Sequence, residues 1–243
     1  MQKDNVSLQA SEDVSYNTFI KIKKLTDSRE SFYIKKLCDM IEEALARREF
    51  ANLSILEIGF NDGSQLRELS DLYEYAVYTG LEVREKPVED MVALGYDCRL
   101  VKTELFDEFF EPGETFDIIY GFGVLHHMSD PYKTLESLIK ILKPGGALIF
   151  IREDHPYDLL AYIHTTVNRA WPYEKNKFKM NRKQFKKLLS QYTNEHYVRY
   201  DNNGIAPCFK RLNKIFCALR LQRVPFWNSM NIYAKLEQAN DNS

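Results

Sequence analysis

The sequence is poor in cysteine, and none of its cysteines belongs to a metal-binding pair. The four, Cys38, Cys98, Cys208 and Cys217, lie far apart in 243 residues and form no Cys-x-x-Cys motif. Neither a zinc site nor a disulfide framework is therefore indicated. We predict reduced thiols and no bound metal.

Long hydrophobic runs and an excess of charge of one sign are also absent. No segment approaches the roughly 20 apolar residues that span a bilayer, and the N-terminal residues 1–10 contain no apolar stretch. We therefore expect a cytoplasmic protein without stable membrane insertion. The formal net charge of -2 gives no global attraction to nucleic acid, which makes nucleic acid a disfavoured partner.

The remaining composition is that of a globular protein, with 44% hydrophobic and 28% charged residues. The length fits one α/β domain with peripheral additions better than two independent cores. Before residue 50, apolar residues recur at three- and four-residue spacing, which predicts one or two helices. These residues are Phe32, Leu37, Met40, Ile41, Ala44 and Leu45.

Strands and helices alternate through the middle of the chain. The predicted strands are Leu53–Ile58, Tyr75–Leu81, Cys98–Val101, Phe116–Tyr120 and Ala147–Ile151. Asp130 and Pro131 mark the start of a helix that runs to about Leu142, because aspartate caps free N–H groups and proline suits the first helical position. This alternation predicts a parallel sheet with helices on both faces.

After Arg152 the alternation becomes less regular. The sequence predicts a basic helix over 182–189, strands over His196–Tyr200 and Asn231–Leu236, and an amphipathic helix in the long connection, near Phe209–Leu219.

The most informative stretch, residues 57–63 with the sequence Glu-Ile-Gly-Phe-Asn-Asp-Gly, joins the first strand to the next helix. Gly59 lets the backbone turn tightly and approach a ligand, and Gly63 relieves crowding where the helix begins. Glu82 ends the second strand, where a carboxylate can accept hydrogen bonds from both hydroxyls of a ribose. Together these features predict a nucleoside pocket.

Two other nucleotide-binding motifs are missing. The chain lacks the GxGxxG pattern that a dinucleotide pyrophosphate requires, and no Lys-Ser or Lys-Thr follows Gly63 as in a P-loop. Dehydrogenase and P-loop interpretations are therefore disfavoured.

The ordered set of motifs between about Leu53 and Ile151 resembles the class I S-adenosylmethionine-dependent methyltransferases of small-molecule type. The motifs are Glu57-x-Gly59-x-x-x-Gly63, Glu82, Phe116-Asp117, Val124-Leu125-His126-His127, Asp130-Pro131 and Leu142-Lys143-Pro144-Gly145-Gly146. The resemblance implies a Rossmann-like α/β fold: a doubly wound, mostly parallel seven-stranded sheet whose last strand is antiparallel, with N-terminal helices and a C-terminal helical insertion.

The resemblance also implies S-adenosylmethionine as the cofactor and S-adenosylhomocysteine as its product. The implied cofactor contacts are Glu57, Gly59, Phe60, Asn61, Gly63, Glu82, Val83, Glu104, Leu105 and Gly121. Asn61 stands where many relatives have a further glycine, and asparagine tolerates left-handed backbone. Glu104 is the nearest match to the acidic residue that holds the adenine amino group in relatives. Asp117 is interpreted as structural.

On this interpretation the chain, 1–243, is a single methyltransferase domain. Residues 1–50 form an N-terminal helical cap, 51–152 the cofactor-binding core, and 153–243 the substrate-side segment with the last strands.

Three histidines are candidates for a general base, which would help if the acceptor is a hydroxyl. His126 and His127 follow the fourth strand, and a structural role is the preferred interpretation of each. His155 follows the fifth strand, where catalytic and structural roles stay equally open. His164, inside a predicted helix, is a weaker candidate.

Seven basic residues between Lys175 and Lys187 form one charge cluster. Such a cluster is usually a solvated helix face, but it also suits an anionic substrate or RNA. Our leading hypothesis is a methyltransferase of small-molecule biosynthesis that modifies an O or N atom of an anionic or aromatic acceptor. The alternatives are an RNA methyltransferase that uses residues 175–187, and a non-catalytic cofactor-binding protein.

Overall fold

The computed structural model describes residues 30–45, 52–153, 179–201 and 229–237. Seven strands in this part of the chain form one sheet. They are β1 Ser54–Ile58, β2 Val77–Glu82, β3 Asp97–Leu100, β4 Phe116–Phe122, β5 Leu142–Glu153, β6 Glu195–Asp201 and β7 Ser229–Lys235.

The strand order is β3-β2-β1-β4-β5-β7-β6, and β7 runs antiparallel to both of its neighbours. The pairs among β1 to β5 are parallel. The helices are α1 Glu30–Leu45, α2 Ser64–Leu72, α3 Glu85–Ala93, α4 Phe106–Phe109, α5 Pro131–Lys140 and α6 Arg182–Leu189, with a 3-10 turn at Leu125–His127. The predicted doubly wound sheet with an antiparallel last strand is confirmed.

The central strands are buried on both faces, as parallel sheets require. On one face Ile55 and Ile149 pack with apolar residues of α1, including Leu37 and Ile41. On the other face Leu56, Ile119 and Leu148 pack with apolar residues of α5 and α6. The apolar spacing that predicted an N-terminal helix thus corresponds to the buried side of α1.

Most predicted boundaries hold to within one or two residues, but β5 begins five residues earlier than predicted. Leu142 already pairs with Phe116 of β4, and the register then shifts before Ile118 meets Ala147. The Pro-Gly-Gly sequence at 144–146 therefore forms an irregularity at the start of the strand rather than a stop before it. As a consequence α5 ends at Lys140. The helix predicted near Phe209–Leu219 lies outside the described residues.

Asp117 links strands at the amino-terminal edge of the sheet, in agreement with the structural role predicted for it. Its Oδ2 accepts hydrogen bonds from the backbone and hydroxyl of Ser54 at 2.9 Å each, and Lys143 Nζ lies 2.7 Å away. Burial raises the pKa of this carboxyl, but Lys143 and Ser54 outweigh burial and hold it below its usual value. Asp117 therefore joins the beginnings of β1, β4 and β5.

None of the helices among the described residues combines the length and apolar character needed to cross a membrane. Within the same part of the chain, no group of three or more His, Cys, Asp or Glu side chains is arranged to hold a metal ion.

Candidate functional site

The strand order reverses between β1 and β4, which are neighbours in the sheet although two strands separate them in sequence. Ligands of open α/β sheets bind in the crevice outside the carboxyl ends of the strands at such a point. Gly59 follows β1, Glu82 ends β2, and Gly121 pairs with Ile58 near the end of β4. The structure therefore brings these three predicted site residues to one edge.

The loop after β1 has left-handed backbone at three positions. The φ angles are +68° at Gly59, +57° at Asn61 and +71° at Gly63, the residue before α2. Asparagine adopts this conformation more readily than most side chains. The expectation that Asn61 can replace a glycine in this loop is confirmed.

Glycine is required at position 59 because the loop after β4 lies directly against it. A Cβ atom added to Gly59 would lie 2.7 Å from Val124 Cγ2, and one added to Gly121 would lie 2.6 Å from Val124 Cγ1. Two glycines thus let Val124 pack tightly between the ends of β1 and β4. The walls of the crevice are in close contact there, so a side chain at either glycine would displace them.

Glu82 ties the loop after β1 to the end of β2. Its Oε2 accepts a hydrogen bond from the Asn61 backbone and its Oε1 accepts one from Val83 N, both at 2.9 Å. Arg84 donates from Nε to Glu82 Oε1 at 3.1 Å and from Nη2 to Oε2 at 3.2 Å. Its Nη2 also donates to Asn61 Oδ1 at 2.6 Å. Each oxygen therefore has two donors, and ribose hydroxyls that bind Glu82 must share or replace them.

Arg84 was missed by sequence reasoning. Arg84 is buried together with Glu82. The sequence indicates it only as a basic residue two positions after the acidic residue that ends β2. A guanidinium that meets both oxygens of a carboxylate fixes its orientation as well as its charge.

Glu57 is a buried carboxyl beneath the loop, 1% exposed. Burial raises its pKa to about 8; the hydrogen bond from Tyr120 opposes that shift, and the charges of Asp62 and Glu82 add to it. Tyr120 donates its hydroxyl to Glu57 Oε2 at 2.8 Å, and the two residues are partners in the β1–β4 pairing. Burial raises the pKa of Tyr120 as well. Tyr120 was the second residue that sequence reasoning missed.

Replacing Glu57 should change how the stability of the ligand-free protein depends on pH. A carboxyl with a raised pKa in the folded state stabilises the fold fully below its unfolded value, 4.5, and loses that contribution as pH rises to about 8. Glu57→Gln cannot ionise, so at alkaline pH its melting temperature should exceed that of the wild type by about 4 °C or more. The difference should close in acid.

Circular dichroism melts between about pH 2.5 and pH 9 measure this difference. Asp117→Asn is the control with the opposite sign, because the pKa of Asp117 is lowered: its loss of stability should be largest at neutral pH and shrink in acid. Parallel melting curves for wild type and Glu57→Gln across the range would contradict the raised pKa.

The remaining predicted contacts lie towards β2 and β3. Val83 and Leu105 are 46% and 37% exposed, which leaves two apolar side chains on this side of the crevice. Both oxygens of Glu104 accept from Ser129 N at 2.9 Å, and Ser129 Oγ donates to Oε2 at 2.5 Å. Phe60 is buried, so its backbone rather than its side chain can face a ligand.

The two histidines after β4 have different surroundings. His126 is buried, and its Nδ1 lies 2.9 Å from Glu153 Oε2. His127 is exposed, with its ring centroid 4.2 Å from that of His126. Glu153 is the third residue that sequence reasoning missed. His155 and His164 lie outside the described residues.

Part of the basic cluster lies on α6. Lys183, Lys186 and Lys187 are exposed, whereas Phe185 is buried in the core. Lys179 Nζ donates to the carbonyl of Ser129, the residue that holds Glu104. Lys179 therefore lies beside Glu104 and Ser129, whereas Lys183, Lys186 and Lys187 lie on α6 and are exposed to solvent.

A family model described as a methyltransferase domain matches residues 29–202, more than half of the chain. The chain belongs to this methyltransferase family. The family that the sequence motifs indicated is confirmed, and the methyltransferases of this family use S-adenosylmethionine as the methyl donor.

Curated relatives of this methyltransferase align with less than half of its length. A ubiquinone biosynthesis O-methyltransferase of Parvibaculum lavamentivorans is 31% identical over 113 residues, which cover 45% of this chain and 43% of that protein. A tRNA U34 carboxymethyltransferase of Desulfotalea psychrophila is 31% identical over 116 residues, 43% of this chain and 35% of that protein. The chain thus spans less than half the length of either relative.

Solved structures extend the likeness to the whole fold. The plantazolicin methyltransferase BpumL, in complex with a triazolic desmethylPZN analog and SAH, gives a TM-score of 0.59 at 14% identity. The alignment covers 98% of this chain and 100% of that chain. At such low identity the likeness supports the fold of this methyltransferase and not its acceptor.

Proposed function

We propose that this protein transfers a methyl group from S-adenosylmethionine to an O or N atom of a small-molecule acceptor. The observation that carries the proposal is the meeting of the left-handed loop after β1 with Glu82 at the switch point of the sheet. Family membership and the curated O-methyltransferase relative support the same reaction.

The side chains at the crevice fit this cofactor. Glu82 presents a carboxylate to the ribose, and the apolar Val83 and Leu105 offer surfaces to the adenine. The start of α2 would hold the amino-acid end, since free N–H groups at a helix start attract a carboxylate. The N–H groups of residues 59–61 already donate to Leu81 O and Glu82, so this part of the loop would shape the pocket rather than bind the carboxylate. When bound, the cofactor supplies a methyl group activated by its sulfonium.

Glu57 adds an electrostatic contribution beneath the loop. A positively charged ligand above it favours the ionised carboxyl, so binding should release a proton where the free protein holds one, below about pH 8. The remaining task of the chain is to orient the acceptor and exclude water.

We assign the general base, which would act on the acceptor, to His126 or His127 of the loop after β4, or to His155 after β5. His126 is the buried member of the adjacent pair, so we place the proton-accepting role there first. An anionic acceptor suits Lys179, whose side chain lies beside the predicted contact Glu104, and an aromatic acceptor is the other expected class.

Titration calorimetry with S-adenosylhomocysteine tests the cofactor, and a panel of phenols, catechols and primary amines with the labelled methyl donor tests the acceptor. We expect binding and at least one methylated product. Well-folded protein without affinity for S-adenosylhomocysteine would exclude the proposal, while binding without transfer to any acceptor would favour the non-catalytic alternative.

The second candidate is an RNA methyltransferase, which the exposed lysines of α6 and the tRNA-modifying relative favour. It requires tRNA affinity that falls steeply with salt and is weakened when Lys183, Lys186 and Lys187 are changed together to glutamine. Under our leading proposal this variant keeps its activity on the small acceptor. Filter binding at several salt concentrations distinguishes the two functions.

A further inference from the structure

Glu153, the last residue of β5, is a fully buried carboxylate outside the predicted cofactor contacts. Its Oε1 accepts a hydrogen bond from Val124 N at 3.0 Å, and its Oε2 accepts one from His126 N at 3.1 Å. Oε2 also lies 2.9 Å from His126 Nδ1. All three partners belong to the loop after β4, so Glu153 organises that loop and one histidine ring together.

A β-bulge turns Glu153 towards this loop. Phe150 pairs with Ile232 of β7 and Glu153 pairs with Met230, so β5 has one more residue than β7 between these pairs. Strict alternation would place residue 153 on the face opposite Phe150. The extra residue places it instead on the Phe150 face, where Leu125 of the loop after β4 also packs.

The bulge has a conformation that proteins seldom retain without a reason. Arg152 has φ +65°, which is uncommon for a residue other than glycine. Asn231 Oδ1 accepts a hydrogen bond from Arg152 N at 3.1 Å, and Ile151 O accepts one from Gly123 N at 2.9 Å. Bulges next to active sites commonly re-aim a side chain, and strained residues cluster at functional sites.

We propose that Glu153 is the positioning residue of His126, holding the imidazole with its proton on Nδ1. The proposal rests on the methyl transfer proposed above. An ionised carboxylate only accepts hydrogen bonds, so the neutral ring keeps its lone pair on Nε2. The acceptor hydroxyl then gives its proton to Nε2 while its oxygen forms the bond to the methyl carbon. The electron pair of the broken C–S bond stays on sulfur, and Glu153 stabilises the resulting imidazolium.

The tautomer of His126 is measurable without any acceptor. Long-range 1H–15N correlation spectra of the intact wild-type protein should show His126 protonated on Nδ1, with the signal assigned by its absence from His126→Gln. Glu153→Gln should lose that preference. A wild-type His126 ring protonated on Nε2 would overturn the proposal, even if Glu153→Gln does not fold.

A double-mutant cycle separates positioning from loop support, using the hydroxyl acceptor that the wild type methylates fastest. Glu153→Gln should lower kcat about tenfold or more with little change in KM. The same substitution added to His126→Gln should lower kcat no further, because Glu153 would act through that ring. Equal losses in both backgrounds would assign Glu153 a structural role only and overturn the proposal.

Cofactor affinity and a control variant show whether the kcat changes in this double-mutant cycle are specific to Glu153 and His126. Affinity for S-adenosylhomocysteine should stay within about threefold of wild type in all these variants, because neither residue is a proposed cofactor contact. Absence of that affinity in the wild type would contradict the proposed function, while the tautomer measurement would still decide the role of Glu153. Asp117→Asn, a buried carboxylate at the opposite edge of the sheet, is the matched control and should leave kcat unchanged.

Discussion

Gly59→Val is expected to abolish measurable binding of S-adenosylhomocysteine, a loss of at least about 100-fold in affinity. The backbone at Gly59 has φ +68°, a conformation that a β-branched residue almost never adopts. Its Cβ atom would also lie 2.7 Å from Val124 Cγ2. Either the loop after β1 or the loop after β4 must move, and both edge the crevice. Titration calorimetry on folded protein measures the loss.

Gly95→Val is the matched control for this substitution. Gly95 also has a positive φ, +92°, but an added Cβ would meet nothing within 4 Å. Both variants carry backbone strain of about 1–2 kcal/mol, so both should melt below the wild type, and only Gly59→Val should lose the ligand. Affinity within about threefold of wild type in Gly59→Val would contradict the placement of the cofactor at this loop.

The succession of strands and helices along the chain was predictable because it follows from local patterns. Short apolar runs that alternate with helical spacing indicate a parallel sheet, and turn residues separate them. The predicted start of β5 was wrong because Pro144, Gly145 and Gly146 fit either a turn before a strand or an irregularity within one. The prediction took them as a turn before β5. The pairing of Leu142 with Phe116 is a non-local contact, and it carries the strand through these residues.

The candidate site was predictable where its residues lie at a strand end. Gly59 and Asn61 follow β1 and Glu82 ends the neighbouring parallel strand β2, so their shared edge could be inferred from chain order alone. Tyr120 and Glu153 could not be found in this way, because their partners lie 63 and 27 residues away in sequence. The bulge that turns Glu153 inward is also invisible to an alternating pattern.

The cofactor contacts themselves remain predictions, and Glu82 gives the sharpest test of them. Hydrogen bonds to a charged acceptor contribute about 1.5–3 kcal/mol each. Glu82→Gln retains one acceptor oxygen and replaces the other oxygen with an amide N–H₂ group. The donors that now bind the replaced oxygen would lose their acceptor. We therefore expect S-adenosylhomocysteine affinity to fall about 30-fold to 100-fold, at roughly 1.4 kcal/mol per tenfold. Calorimetry measures this fall.

An analogue of S-adenosylhomocysteine without the 2′-hydroxyl separates the ribose contact from damage to the loop. Glu82 also holds Asn61 N and Arg84, so a loss of affinity alone could arise from a disordered loop. If the carboxylate binds the ribose, the wild type should discriminate against the deoxy analogue by about tenfold or more, and Glu82→Gln should discriminate much less. Asp117→Asn, whose carboxylate lies at the opposite edge, should keep the wild-type discrimination. Equal discrimination in wild type and Glu82→Gln would mean that Glu82 supports the loop through Asn61 and Arg84 and does not touch the sugar.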